Sequence, residues 1–96
     1  MRGPGAKLRG IRQRLGLTMR EVEAASRLVA RRRGSHRYLV LASRLSDIEN
    51  RGSLPTVYRL YTLAVIYGRS LLRLLSWYGV RPALATHDRR WMRGRR

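Results

Sequence analysis

The chain lacks cysteine and is poor in acidic residues, with five Asp and Glu among 96 residues. The absence of cysteine excludes disulfide bonds and zinc sites built on thiolates. A transmembrane helix needs roughly 20 apolar residues, whereas the longest uncharged run of the apolar second half covers only residues 60–68. The first ten residues are not followed by the apolar segment of a signal peptide. We therefore expect no membrane span and a cytoplasmic location.

The few acidic residues argue against an enzyme. Four of them form i, i+2 pairs, which point to different sides of a helix and cannot make a two-carboxylate site. The pairs are Glu21 with Glu23 and Asp47 with Glu49. His36 and His87 have no companion at the spacing of metal ligands, and no glycine-rich phosphate loop or nucleophile motif occurs. We expect no catalytic residues, no metal and no cofactor.

Positive charge dominates what is present. Lys and Arg number 22, which gives a net charge of +17, and all of them except Lys7 are arginine. The planar guanidinium suits phosphate oxygens and guanine edges. A GC-rich genome could explain the preference for arginine over lysine, but it does not explain the scarcity of acids. The charge predicts a polyanionic partner, which is DNA, RNA or an acidic membrane surface.

The length of the chain predicts one domain with a tail at each end. Residues 1–5 contain two glycines and a proline and are predicted to be a flexible arm. A helical domain is predicted for residues 6–80, and a basic disordered tail for residues 81–96. In the first helix Leu8, Ile11 and Leu15 recur at the spacing of one helical face.

The second helix is predicted from a capping box. Thr18 can cap the helix start and Glu21 can reach back to it, and the helix should end at the basic run 31–33. Its inner face is predicted to carry Val22, Ala25, Ser26 and Val29. Residues 35–41 have no helical period, and we expect a loop or short extended piece on the core.

Three more helices complete the predicted fold, a compact all-α bundle of about five short helices. The third covers residues 42–50, the fourth follows a Thr56 cap, and the fifth follows a Ser70 cap. The predicted inward residues are Leu45 and Ile48 in the third helix, Val57, Leu60, Ala64 and Tyr67 in the fourth, and Leu71, Leu74, Leu75 and Tyr78 in the fifth.

Several of these pieces follow one another in a familiar order. Gly-Leu-Thr at residues 16–18 opens the second helix, Leu-Ser-Asp-Ile-Glu-Asn at residues 45–50 ends the third, and Pro55 precedes the fourth. Further matching residues are Leu8, Arg9, Arg12 and residues 60–64. Over residues 7–80 this set resembles the phage repressor–Cro family, also called the XRE family. The resemblance implies a lambda repressor-like helix-turn-helix domain and a transcriptional regulator that binds double-stranded DNA, commonly as a homodimer.

Two features depart from the family pattern. The segment between Thr18 and Glu49 is longer than usual, which implies an extended second helix and following loop. Leu41 stands where the family often has a Ser or Thr cap on the third helix. The exact frame of the DNA contacts is therefore left open.

The resemblance makes residues 42–50 the recognition helix, which lies in the major groove. The positions nearest the bases are then Ala42, Ser43, Arg44, Ser46 and Asp47. Hydroxyl groups can serve donor or acceptor edges of bases. The alternative is that these residues are ordinary solvated positions of a helix surface.

Backbone contacts are expected at the start of the second helix, where Thr18 and Arg20 adjoin amides that suit a phosphate. The other candidates for phosphate contacts are Arg31, Arg32, Arg33, Arg37 and Arg51. The alternative is a plain capped helix with solvated charges. Arg12 and Glu49 match a pair that the family commonly joins between its first helix and recognition helix, and they are expected to be structural.

Helical spacing among leucines favours core or interface positions over RNA base stacking for the aromatic residues. Trp77 lies off the predicted buried face and is a candidate dimer contact. Two other functions remain open: a charge-driven RNA-binding or nucleoid-type protein, and an antitoxin-like protein-interaction module that keeps the helix-turn-helix for packing.

Overall fold

Residues 3–80 are described by the computed structural model, and they fold into five α-helices with no strand in that range. The helices are α1 (Pro4–Arg14), α2 (Met19–Arg33), α3 (Ala42–Asn50), α4 (Val57–Tyr67) and α5 (Leu71–Trp77), with a 3-10 turn at His36–Tyr38. The predicted all-α fold class is confirmed. Within the described range, no helix has the length and apolar character that crossing a membrane requires.

The first helix begins earlier than predicted. Gly3 is the N-cap and Pro4 the first helical residue, which suits proline because its fixed φ is already helical and its missing N–H is not needed there. Gly5 lies so close to α3 that an added Cβ would be 2.4 Å from the carbonyl oxygen of Ile48. The predicted arm is therefore wrong at Pro4 and Gly5. Residues 1–2 and the predicted tail, 81–96, lie outside the described residues.

The starts of α2, α4 and α5 and the end of α2 follow the predicted caps. Thr18 forms the capping box of α2, and Gly34 ends that helix in the left-handed conformation with φ of 67°. Thr56 and Ser70 cap α4 and α5 through their hydroxyl groups. Local sequence signals therefore determine where these helices begin and where α2 ends.

The core combines residues from every helix. Its members are Leu8, Ile11, Val22, Val40, Leu45, Ile48, Leu60, Leu63, Ala64, Tyr67 and Leu74. The predicted inward position of Val57 is wrong, since Val57 is 52% exposed, and Leu15, predicted on one helical face with Leu8 and Ile11, is 50% exposed. Leu15 follows the last residue of α1 and Val57 is the first residue of α4. Both therefore lie at helix ends, outside the turns that pack against the core.

The segment between α2 and α3 is anchored by two buried hydroxyl groups. The backbone N–H of Val40 donates to Ser26 Oγ (3.0 Å), and Thr62 Oγ1 donates to the carbonyl oxygen of Tyr38 (2.7 Å). Val40 is fully buried. The prediction of a non-helical piece on the core is right except for its single 3-10 turn at His36–Tyr38.

Candidate nucleic-acid interface

The outward face of α3 carries the predicted base-reading residues. Leu45 and Ile48 are buried at 0% and 1% exposure, which turns the opposite side of the helix to solvent. Ser43 and Arg44 are exposed, and Ala42, Ser46 and Asp47 are half-buried. These five positions thus form one accessible, mostly polar surface, which we call the α3 face.

Polar contacts extend the α3 face toward α1. Arg9 Nη1 donates to Asn50 Oδ1 (3.0 Å), and Asn50 Nδ2 donates to Ser46 Oγ (3.4 Å). Arg9 was matched to the family pattern but was not predicted to be part of the interface. Its long separation from Asn50 in sequence gives no local signal for this contact.

The end of α3 is fixed by the predicted structural pair. Arg12 Nε and Nη2 donate to the two carboxylate oxygens of Glu49 at 2.7 and 2.9 Å, and Arg12 Nη1 donates to the carbonyl oxygen of Leu17 (2.9 Å). The Glu49 side chain is fully buried and that of Arg12 is 11% exposed. The hydrogen bond to Glu49 raises the pKa of Arg12. The bidentate pair joins α1 to α3, and the hydrogen bond to Leu17 adds the α1–α2 turn.

The start of α3 is held in a way that the sequence did not reveal. Leu41 offers no side-chain cap, and Glu23 of α2 replaces it by accepting a hydrogen bond from the backbone N–H of Ala42 (2.7 Å). Its second carboxylate oxygen pairs with Arg27. The hydrogen bond from Ala42 lowers the pKa of Glu23. The start of α3, where Leu41 provides no cap, is thus held by a carboxylate from α2, and the frame of the DNA contacts stays a prediction.

The start of α2 combines a capping box with an exposed arginine. The N–H of Glu21 donates to Thr18 Oγ1 (3.0 Å), and the N–H of Thr18 donates to Glu21 Oε1 (2.8 Å). The latter bond lowers the pKa of Glu21. The Thr18 hydroxyl accepts in the box and can donate to a phosphate at the same time. Arg20 is exposed beside it.

The predicted phosphate-contacting arginines occupy three different surroundings. Arg31 and Arg32 are exposed on α2. Arg51 lies 3.7 Å from the carboxylate of Asp47, in an exposed i, i+4 pair. Such a pair adds little stability, but it brings Arg51 to the edge of the α3 face.

Arg33 and Arg37 belong to a cluster with tyrosines of α4. Arg33 lies 4.9 Å from the ring centre of Tyr61, and Arg37 lies 5.4 Å from that of Tyr58. The ring of Tyr38 packs edge-on against both tyrosines. Arg33 also donates to the Tyr61 hydroxyl, which raises the pKa of Arg33. We call these five residues the tyrosine–arginine cluster.

The aromatic residues of α4 and α5 are only partly as predicted. Tyr67 lies in the core, where burial raises its pKa, whereas Tyr58 and Tyr61 are half-buried in the cluster. Trp77 is half-buried, packs against the core and carries Lys7 over its ring at 5.3 Å. The prediction that Trp77 lies off the buried face is therefore wrong.

No family model, curated protein or solved structure matches this chain. The resemblance to the phage repressor–Cro family stays a prediction that rests on the chain's own residues. Within residues 3–80, the structure brings together no group of three His, Asp or Glu side chains that could bind a metal ion.

Proposed function

We propose that this protein is a sequence-specific, double-stranded DNA-binding transcriptional regulator that uses α2 and α3 as a helix-turn-helix motif. The observation that carries the proposal is the α3 face: a polar helix surface whose rear side is locked by the buried Arg12–Glu49 pair. A base-reading helix must be held rigidly relative to the domain that grips the backbone, because its side chains have to meet base edges in register.

The residues of the α3 face suit the major groove. Ser43 and Ser46 can donate to or accept from base edges, Asp47 can accept from cytosine N4, and Ala42 can contact a thymine methyl group. Arg44 can bind guanine or a neighbouring phosphate. The five positions lie in the first two turns of α3, as expected for a helix that enters the groove near its first turns.

Arginines around the α3 face would bind the DNA backbone. Arg9, Arg20 and Arg51 border the face or the adjacent start of α2, and the net charge of +17 favours association with any polyanion. Backbone contacts set position and orientation, whereas base contacts give specificity. The longer second helix would add Arg31, Arg32, Arg33 and Arg37 to this positive surface.

A homodimer on two half-sites would follow the usual geometry of such domains, with half-sites one helical turn apart, or roughly 34–36 Å. The protein would then act in the cytoplasm, associated with the nucleoid. The other functions left open by the sequence become outcomes of the test below.

The decisive experiment is selection of bound sequences from a random duplex library at physiological salt. We expect enrichment of one motif, bound at least about 10³-fold more tightly than random duplex. Equal affinity for random duplex and single-stranded RNA, with no enriched motif, would contradict the proposal and support a charge-driven nucleic-acid binder. Copurification with a stable protein partner and no DNA binding would support the interaction module.

A further inference from the structure

A small pocket lies between α1 and α5, away from the residues assigned above. Its volume is about 260 Å³, and its lining consists of four cations and two apolar side chains. The cations are Lys7, Arg14, Arg69 and Arg73, and the apolar residues are Ile11 and Trp77. We call it the α1–α5 pocket.

Among residues 3–80, no carboxylate lines the α1–α5 pocket. The acidic residues of the described range are engaged elsewhere: Glu21 in the capping box, Glu23 at the start of α3, Asp47 near Arg51, and Glu49 with Arg12. Four like charges around one cavity repel one another, and a bound anion would relieve that repulsion.

Two apolar contacts give the pocket a defined wall. Ile11 is 2% exposed and belongs to the core, and Trp77 packs against the core. Lys7 is positioned over the Trp77 ring at 5.3 Å, a favourable cation–π arrangement. The exposed Lys7 side chain thus places its ammonium group beside the aromatic wall of the pocket.

The pocket lies on the opposite side of α1 from α3. Arg9 and Arg12 contact Asn50 and Glu49 of α3, whereas Lys7 and Arg14 line the pocket. At 3.6 residues per turn, positions 7 and 14 lie on one side of the helix and positions 9 and 12 on the other. A duplex bound along the α3 face would therefore leave this pocket accessible.

We propose that the α1–α5 pocket binds a small phosphate-bearing anion. Guanidinium groups form paired, charge-assisted hydrogen bonds with phosphate oxygens, and three arginines and a lysine suit a multivalent anion. The cavity is smaller than typical drug-sized sites, so the bound part is about the size of a diphosphate. Such an anion would bridge α1 and α5. The proposal is independent of the function proposed for α3.

The test uses the full chain and inorganic pyrophosphate at constant ionic strength. The protein has two tryptophans, so Trp91→Phe leaves Trp77 in the pocket wall as the only fluorescent indole. We expect a saturable change in Trp77 emission with a Kd below about 1 mM, together with a rise in Tm.

A matched pair of variants separates a site from general electrostatic attraction. Arg69→Gln removes one charge from the pocket, and Arg32→Gln removes one charge from the exposed surface of α2. Both positions are exposed, so neither change should disturb folding. We expect about a tenfold loss of pyrophosphate affinity for Arg69→Gln, as for loss of a charged hydrogen bond, and less than about twofold for Arg32→Gln.

A non-saturating titration, or equal losses in the two variants, would overturn the proposal.

A competition experiment with duplex DNA identifies the source of the phosphate. If the natural ligand is a free small molecule, protein bound to a duplex will bind pyrophosphate with unchanged affinity. If a nucleic-acid phosphate fills the pocket, duplex and pyrophosphate will compete. Arg69→Gln will then lower the log–log salt slope of DNA binding by about 0.9 relative to the unmodified protein.

Discussion

The two ends of α3 are held by carboxylates in different surroundings. At the C-terminal end, Glu49 is fully buried and paired through two hydrogen bonds with Arg12. At the N-terminal end, the Glu23 side chain is 23% exposed, accepts from the N–H of Ala42, and pairs with an Arg27 side chain that is 54% exposed. Because water weakens interactions between exposed charges, the buried end should fix the orientation of the helix. The contact at the exposed N-terminal end should contribute less and should affect only the first turn of α3.

The largest effect is expected when the buried end is broken. Arg12→Ala leaves the Glu49 carboxylate buried without its partner, which costs about 3–5 kcal/mol in the free energy of unfolding. A urea melt followed by circular dichroism measures it. Arg9→Ala is the matched control, because it removes an exposed arginine of α1 that also contacts α3, and it should cost no more than about 0.5 kcal/mol. Equal losses in the two variants would show that burial does not distinguish them.

Between the two ends, Asp47 tests whether the α3 face reads bases. If Asp47 accepts from cytosine N4, Asp47→Ala should relax the preference at one position per half-site and cost about 1–3 kcal/mol on the selected sequence. Random duplex should be bound as well as before or more tightly, because a negative charge is lost. Measured affinities for the selected and random duplexes separate these effects.

The control for this test is Arg51→Ala, which removes the partner of Asp47 in their exposed pair. Because Arg51 is proposed to contact a phosphate, Arg51→Ala should weaken binding to all duplexes alike and leave the preferred motif unchanged. If Asp47→Ala instead tightens binding to selected and random duplexes equally, Asp47 reads no base. The proposed frame of α3 in the groove would then be wrong.

These contacts show what the sequence can and cannot reveal. The capping box at Thr18 and the helix end at Gly34 follow from local chemistry, so both were predictable. The Arg12–Glu49 pair came only from the family resemblance. Contacts between distant segments with no such pattern were missed, as for Glu23 with Ala42 and Lys7 with Trp77. Nothing in the spacing of Glu23 indicates that it caps another helix, because the bend of the α2–α3 segment brings it there.

A smaller effect is expected at the exposed end of α3. Glu23→Ala removes the acceptor for the Ala42 N–H, whereas Glu23→Gln keeps an amide oxygen that can accept the same hydrogen bond and removes only the charge. The loss of stability should therefore be greater for Glu23→Ala than for Glu23→Gln, and smaller for both than for Arg12→Ala. Urea melts at neutral pH give this order. If Glu23→Ala were as damaging as Arg12→Ala, the two ends of α3 would be held equally firmly.

The smallest effect is the pH dependence of the exposed end. The hydrogen bond from the Ala42 N–H lowers the pKa of Glu23 in the folded protein below its value in the unfolded chain. Its contribution to stability is thus fully present above the unfolded pKa and is lost as the pH falls through the folded pKa.

The pKa of Glu21 is lowered too, so acid melts of the unmodified protein report both groups. The difference in unfolding free energy between that protein and Glu23→Gln isolates Glu23, because the capping box is intact in each. This difference should be constant near neutral pH and shrink as the pH falls from about 5 to about 3, around the ordinary pKa of glutamate. A difference that stayed constant over this interval would mean that the Glu23 carboxylate does not stabilise the start of α3 through its charge.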